Sequence, residues 1–331
     1  MGKEFCSVNS ENTFNISTSL TFCDILGAWK VRWGIGRMNY MVEPGLYSVG
    51  KPNCDSPVLV SANYKLTFDI LRKNLEGLDC RLLILDTKGV NVWCAAGKGT
   101  FGTDELVNRI ESVRLSEVVN HKNLILPQLG APGVNAREVT QRTGFSVIFG
   151  PVRADDVKAF ISAGNKAAKE MRLVSFTFAD RLVLTPMEIV PAVKMSLPVF
   201  GIMLLTNRKF DAAALAGSIY AGAFLTPVLL PHIPGKAFAW KGWLAGLDVT
   251  TSLLIFSGKI KKENRLLSAG RLLLYPAISS FFAMNFTGAS TYTSPSGVKK
   301  EMKQALPFII GTGAVGAALM LGAHFFGREK K

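Results

Sequence analysis

The chain has 331 residues, enough for two domains, and its 48% hydrophobic content and mean hydropathy of +0.25 are high for a soluble protein. Its formal charge of +14 comes from basic residues scattered through the first half or flanking apolar runs, without an aromatic-interleaved patch, so anionic lipid headgroups are a more economical partner than nucleic acid. Five cysteines, Cys6, Cys23, Cys54, Cys80 and Cys94, form no CxxC pair, which argues for a reducing compartment and against an iron–sulfur cluster or structural zinc in this chain.

Met1 to Ser10 is polar and no apolar core of signal length follows, so the first half is expected to stay in the cytoplasm. Residues 1–45 read as an N-terminal extension in which Trp29, Trp33 and Tyr40 imply some packing, and Gly34-Ile35-Gly36 is a turn rather than a dinucleotide fingerprint. From Pro57 the pattern becomes regular. Val58-Leu59-Val60 suits a buried strand, Ser61 to Tyr64 a loop, and Leu66, Phe68, Ile70, Leu71 and Leu75 a helix. Arg81 to Asp86 is a second buried strand, closed by the turn-like Thr87-Lys88-Gly89. Beyond it Thr103 is expected to cap a helix carrying Leu106, Val107, Ile110 and Val113. Leu124-Ile125-Leu126 and Phe145 to Phe149 read as strands around a helix near Asn135 to Gln141, a further helix runs from Ala154 through Ile161, and Met171 to Phe178 is a candidate last strand. Strands alternating with helices imply a doubly wound, Rossmann-like parallel sheet covered on both faces over residues 46–180. The loops at 61–64, 87–102, 127–134 and 150–153 then gather at one edge, where such sheets bind cofactors.

Between two of those elements lies the peptide NVWCAAGK, Asn91 to Lys98. Asn91 is a good N-cap, Ala95 and Ala96 favour helix, and Gly97 suits a left-handed residue that ends one. Cys94 falls in the first turn, where unpaired N–H groups and the helix dipole favour a thiolate, and Lys98 adds charge. Three readings compete for Cys94: a small buried hydrophobe, part of a phosphate loop, or a metal or cofactor ligand. The phosphate loop is excluded, because it needs Gly where Val92 stands and Ser or Thr where Gly99 stands. His121, His232 and His324 are too dispersed to form a metal cluster.

After residue 185 the character changes. Five apolar spans, near 186–205, 212–231, 238–257, 266–286 and 305–326, approach the ~20 residues that cross a bilayer as helix, giving an all-α transmembrane bundle over residues 181–331. Glu188, Lys194 and three prolines interrupt the first, and Lys194 is read as snorkelling. Ala213, Gly217, Gly222, Gly313, Gly316 and Ala318 allow close helix packing. With five crossings and a cytoplasmic first domain, the basic turn at 259–265 and the Arg328-Glu329-Lys330-Lys331 tail fall outside, against the positive-inside rule.

NVWCAAGKGTFGT, with SPVLVSANYKLTFD before it and LILPQLGAPGV and GFSVIFGPVRADD after it, closely resembles the HgcA family of corrinoid-dependent mercury-methylating membrane proteins. The resemblance runs from about Tyr40 to the C-terminus and is strongest over residues 56–155. It implies that Asn91, Val92, Trp93, Cys94, Ala95, Ala96, Gly97 and Lys98 form a cap helix beneath a corrinoid of the cobalamin type, with Cys94 as the cobalt ligand on its lower face. A thiolate there is a strong donor that favours release of a cobalt-bound methyl group to an electrophile such as Hg(II). The resemblance also implies a folate-linked methyl donor and the ferredoxin-like 4Fe–4S partner HgcB as electron source. The corrinoid iron–sulfur protein large subunit shares this domain but lacks the cap cysteine, and its cluster-binding motif is missing here. Ser61, Asn63, Gln128, Gly130 and Gly150 are further candidate corrinoid contacts, chosen for their loops. A methyl carrier of one-carbon metabolism and a non-enzymatic membrane corrinoid-binding protein are the alternatives. The small Ala and Gly side chains of the cap are expected to let its backbone approach the flat macrocycle, so a bulky residue at Ala95 should weaken corrinoid binding and spare the fold.

Overall fold

A computed structural model of the chain describes residues 13–259 and 265–326. Cys6, the polar start, Lys261, Lys262, the C-terminal tail and the His324 side chain lie outside the described residues. The chain divides into two units, one of residues up to Val174 and one from Ser175 onward that also takes in Arg32–Gly34.

The first unit is built on six strands: β1 Thr13–Ile16, β2 Gly45–Val49, β3 Val58–Ala62, β4 Cys80–Leu85, β5 Asn123–Leu126 and β6 Ser146–Phe149. Their order across the sheet is β1-β2-β4-β3-β5-β6. Helices α2 Lys65–Asn74, α3 Val92–Lys98, α4 Thr103–Ser112, α5 Leu115–Val118, α6 Ala136–Thr143 and α7 Val157–Ser162 alternate with the strands, and α1 Phe22–Arg32 precedes them. Strands β4, β3, β5 and β6 pair in parallel, but β2 runs antiparallel to β4, so the sheet is mixed rather than wholly parallel. β1 and β2 pair in parallel with α1 in their connection, and this pair meets the rest of the sheet antiparallel because the loop of residues 50–57 from β2 to β3 is too short for a parallel crossover.

Alternate residues of the same strands feed two cores. Val58, Val60, Leu83, Leu85, Leu124 and Leu126 pack with Ala95, Ala96, Phe101 and Leu106 on one face. Leu59, Leu82, Ile84 and Ile125 pack with Phe68, Leu75 and Phe160 on the other. Met171 to Phe178 forms no strand: a 3-10 turn at Glu170–Arg172 precedes it, and Phe176 takes a positive φ of 43° that a strand cannot hold. Thr103 is the first residue of α4 rather than its cap, which is Gly102, and its hydroxyl accepts the Asn135 N–H at 2.9 Å. Cys54 is disulfide-bonded, so the odd cysteine count does not make this an all-thiol chain.

The second unit is helical: α8 Phe178–Leu205, α9 Lys209–Tyr220, α10 Thr226–Val228, α11 Phe238–Phe256, α12 Arg265–Asn285 and α13 Pro295–Phe326. α8 starts with a capping box, Thr177 and Asp180 each taking the other's backbone N–H. Three stretches, Phe178–Leu205, Arg265–Ala289 and Ser296–Ala323, are long and apolar enough to cross a membrane. Of the two other expected spans, one is broken into α9, a π-turn at Ala221–Leu225 and α10, and the other is the 19-residue α11, which carries Lys241 and Asp248. Small residues set the spacing: a Cβ on Gly316 would lie 2.6 Å from Leu274 N, and one on Gly222 would lie 2.3 Å from Ser279 O. Ser279 and Ser280 hydroxyls donate across to Gly242 O and Ala239 O, both at 2.7 Å.

Candidate functional site at the carboxyl edge of the sheet

In the parallel part of the sheet the chain passes from β3 to β4 on one side, then returns to β5 and β6 on the other. The switch point therefore falls between β3 and β5, where strand order reverses and a crevice opens beyond the carboxyl ends. A cavity of about 310 Å³ occupies it, lined by Ser61 from β3, Leu126 at the end of β5 and Pro127 after it, Pro151 to Ala154 after β6, and Asn91, Val92 and Trp93 at the start of α3. The peptide singled out in the sequence thus stands at the rim of the crevice that the topology creates.

Local chemistry shapes α3 in detail. Asn91 is its N-cap, with its side-chain oxygen accepting the N–H of Cys94 at 2.9 Å. The helix continues through Gly97 and stops at Gly99, whose φ of 81° is the left-handed cap expected two residues earlier. Seven residues make two turns, and their faces differ sharply. Val92, Ala95 and Ala96 are buried in the core, whereas Trp93, Cys94, Gly97 and Lys98 are exposed. Cys94 and Gly97, three residues apart, share the outer face, and a Cβ on Gly97 would meet nothing within 4 Å. Ala95 and Ala96 turn toward the sheet and are buried in its core. Ala95 is 0% exposed because the helix must present an apolar stripe to the sheet.

The turn before α3 is held by Asn63. Its amide is 1% exposed and its oxygen accepts the N–H groups of Thr87 at 3.1 Å and Gly89 at 3.0 Å, while Thr87 Oγ1 lies 2.9 Å away. Its amide nitrogen donates to Asp86 Oδ1 at 3.3 Å. Burial pushes the Asp86 carboxyl up, but the Lys88 ammonium and backbone N–H outweigh it and hold the group below its ordinary range. Asn63 thus positions the loop that launches the cap helix, and every polar atom it offers is spent there.

Three other candidates also support rather than line the site. A Cβ on Gly130 would come 2.5 Å from the Phe101 ring, so this glycine lets the loop after β5 close over Phe101 beneath α3. Gly150 packs against Ile125 and Phe160. Gln128 accepts a 2.8 Å hydrogen bond from Arg172. Of the five loop candidates only Ser61 lines the cavity. Gly133 escaped sequence reasoning although its place in Leu129-Gly130-Ala131-Pro132-Gly133 was a visible signal: a Cβ there would lie 2.1 Å from Phe101 O and 3.0 Å from Ala96 Cα. The cap helix is clamped from below by this close approach.

A second free cysteine makes a contrast. Burial, with the nearby Asp79 carboxylate, pushes the Cys80 thiol up to about 12, so it stays protonated and inert within β4. Cys94 has no such enclosure. Among the described residues no group of three His, Cys, Asp or Glu side chains is placed to hold a metal ion.

Residues 34–161 match the family model described as CO dehydrogenase/acetyl-CoA synthase delta subunit. The chain is 34% identical over 122 residues to the acetyl-CoA decarbonylase/synthase complex subunit gamma of Methanopyrus kandleri, covering 36% of this chain and 26% of that protein. It is 32% identical over 124 residues to the corrinoid/iron-sulfur protein large subunit of Moorella thermoacetica, covering 37% and 27%. The chain spans about a quarter of the length of these relatives. The first unit is thus related to a domain of a corrinoid/iron-sulfur protein, and the matched segment holds the crevice and α3 entire.

Proposed function

We propose that this chain is a membrane-embedded corrinoid protein that carries a methyl group, with Cys94 as the lower axial ligand of cobalt. The carrying observation is the exposed Cys94 on the outer face of α3, with its own N–H taken by Asn91 and open space beside it at Gly97. The name of one relative supplies the cofactor class, and the crevice at the switch point lies beside α3, with Asn91, Val92 and Trp93 on its rim and Cys94 outside its lining. When bound, a corrinoid supplies a cobalt centre that takes up a methyl group and gives it up to an acceptor. The chain's own part is positional and electronic. Asn91 fixes the first turn, Gly97 keeps the face beside the sulfur flat, Val92, Ala95 and Ala96 anchor the helix to the sheet, and Trp93 walls one side of the crevice. Cys94 would offer the cobalt a strongly donating sulfur ligand where a neutral nitrogen base or water is the usual one.

For the acceptor, the finer reading is Hg(II), which makes the activity a corrinoid-dependent methyltransferase and the product methylmercury. It rests on the NVWCAAGK peptide and its resemblance to the HgcA family. In that reading a folate-linked donor loads the methyl group, the ferredoxin-like HgcB returns electrons, and α9–α10 and α11 join α8, α12 and α13 as five crossings with the corrinoid unit on the cytoplasmic side of the inner membrane. A second reading is favoured more directly by the relatives' names: a methyl carrier of acetyl-CoA-type one-carbon metabolism.

Membranes holding the chain and its ferredoxin partner, given a labelled methyl donor and Hg(II), separate the two. Methylmercury from wild type and none from Cys94→Ala is the expected result. Label passing to a one-carbon acceptor, with no methylmercury from wild type, would select the second reading. An absorption spectrum of the bound corrinoid tests the ligand itself, because Cys94→Ala should remove a thiolate–cobalt signature, and an unchanged spectrum rules the assignment out.

A further inference from the structure

Two neighbouring cavities of the helical unit lie outside the methyl chemistry. One, of about 370 Å³, lies where α8 ends, α9 and α12 begin and α11 ends, and is lined by Arg208, Lys209, Phe210, Asp211, Lys259 and Arg271. Among the described residues, four cations and one carboxylate line it. That carboxylate is already engaged, since Asp211 Oδ1 accepts from Arg271 Nε at 2.8 Å and from the Tyr275 hydroxyl at 3.0 Å. The Phe210 ring steadies two of the cations, with Arg271 4.3 Å and Lys259 5.4 Å from its centroid. Arg271 is 4% exposed and paired with Asp211, so the floor of the chamber is fixed while Arg208 and Lys209 stand exposed at its mouth.

The second cavity, of about 400 Å³, is almost wholly apolar, lined among others by Val199, Leu215, Leu274, Ala277, Phe281 and Gly313. The same helices make both. Asp211 and Leu215 are one turn apart on α9, Arg271 and Leu274 one turn apart on α12, and α13 contributes Met320 to the first cavity and Gly313 to the second. A basic chamber at the helix ends therefore stands beside an apolar slot running down the bundle.

We propose that α8, α9, α12 and α13 bind an anionic phospholipid, its phosphate among Arg208, Lys209 and Lys259 and an acyl chain along the Leu274–Gly313 slot. Free phosphate would have no use for the slot. A choline headgroup would set its own cation among four others, so the site selects against zwitterionic lipid. The proposal depends on the membrane reading of α8, α12 and α13, which fractionation of cells into soluble and membrane parts tests separately.

The test uses the full chain in detergent, offered phosphatidylglycerol, phosphatidylcholine of the same acyl chains, or inorganic phosphate, with bound species read by native mass spectrometry. Phosphatidylglycerol should be retained over phosphatidylcholine. Arg208→Gln and Lys209→Gln should each lower its retention about fivefold, the share of one cation near an anionic lipid. Both side chains are exposed, so neither change should disturb folding. Gly313→Leu should block the slot and reduce retention in a protein whose melting temperature is kept, because a Cβ at Gly313 is no closer than 3.7 Å to Ala277. Equal retention of the two lipids, unchanged retention in the Gln variants, or competition by inorganic phosphate as strong as by lipid would each overturn the site.

Discussion

At the scale of single residues, α3 shows how two neighbours of similar size have opposite jobs. Ala95 faces the sheet with no exposure, and Gly97 faces open space beside Cys94. A leucine at Ala95 must push into a filled core, costing about 1–3 kcal/mol. A leucine at Gly97 meets nothing in the protein and shifts stability by about 0.5 kcal/mol or less. Corrinoid uptake should reverse the order of severity: Gly97→Leu takes up little cofactor despite a wild-type melting curve, while Ala95→Leu melts early. Measured cobalt content alongside the melts decides between them, and full loading of Gly97→Leu would remove α3 from the cofactor face. Spacing alone does not say which side of a seven-residue helix meets the sheet, and the tertiary structure moves this test from Ala95 to Gly97.

At the scale of elements, α1 is fastened to α2 by a charge network with little apolar help. Asp24 Oδ1 meets Lys65 Nζ at 2.6 Å and Oδ2 meets Arg72 Nη2 at 2.8 Å, while Asp69 bridges the same two cations at 2.7 and 2.8 Å. Arg72 also donates to Ser17 O and Ser19 O. Burial alone would push the Asp24 carboxyl up, but Lys65 and Thr21 outweigh it and hold the group well below its ordinary value of 3.8. A folded-state pKa below the unfolded one contributes stability that is present above that value and lost as pH falls beneath it. Wild-type protein should therefore lose melting temperature between about pH 5 and pH 3 more steeply than Asp24→Asn, which lacks that titration. Parallel slopes in the two proteins would show that the network does not hold α1 down. Residues 22–32 offered no clear periodic stripe, and the partners of Asp24 are 41 and 48 positions away, so this element was not legible in the sequence.

At the scale of the whole molecule, two units with separate cores follow one another along the chain, with the boundary between Val174 and Ser175. Leu173 and Val174 are exposed, whereas Phe176 is buried against Phe286 and Tyr292 in the helical unit. Brief proteolysis of the full chain should cut between 172 and 177 and release a fragment that keeps its cobalt, because the crevice and all of α3 lie on one side of the cut. Mass spectrometry and metal analysis of the fragment read this directly, and cobalt remaining wholly with the helical part would place the cofactor elsewhere.

The amino-acid sequence by itself determined that a strand–helix alternation is followed by long apolar helices, that Asn91 caps a short helix, and that Cys94 falls in its first turn. Those features arise from local rules of period, capping and span length, which act between near neighbours. Only the tertiary structure decided that β2 enters antiparallel, that Ala95 and Ala96 turn inward while Gly97 turns out, and that Asn63, Gly130 and Gly133 brace the cap helix instead of lining the crevice. Each of these depends on which distant backbone lies within a few ångströms, and that follows from packing two cores around one sheet rather than from any stretch read alone.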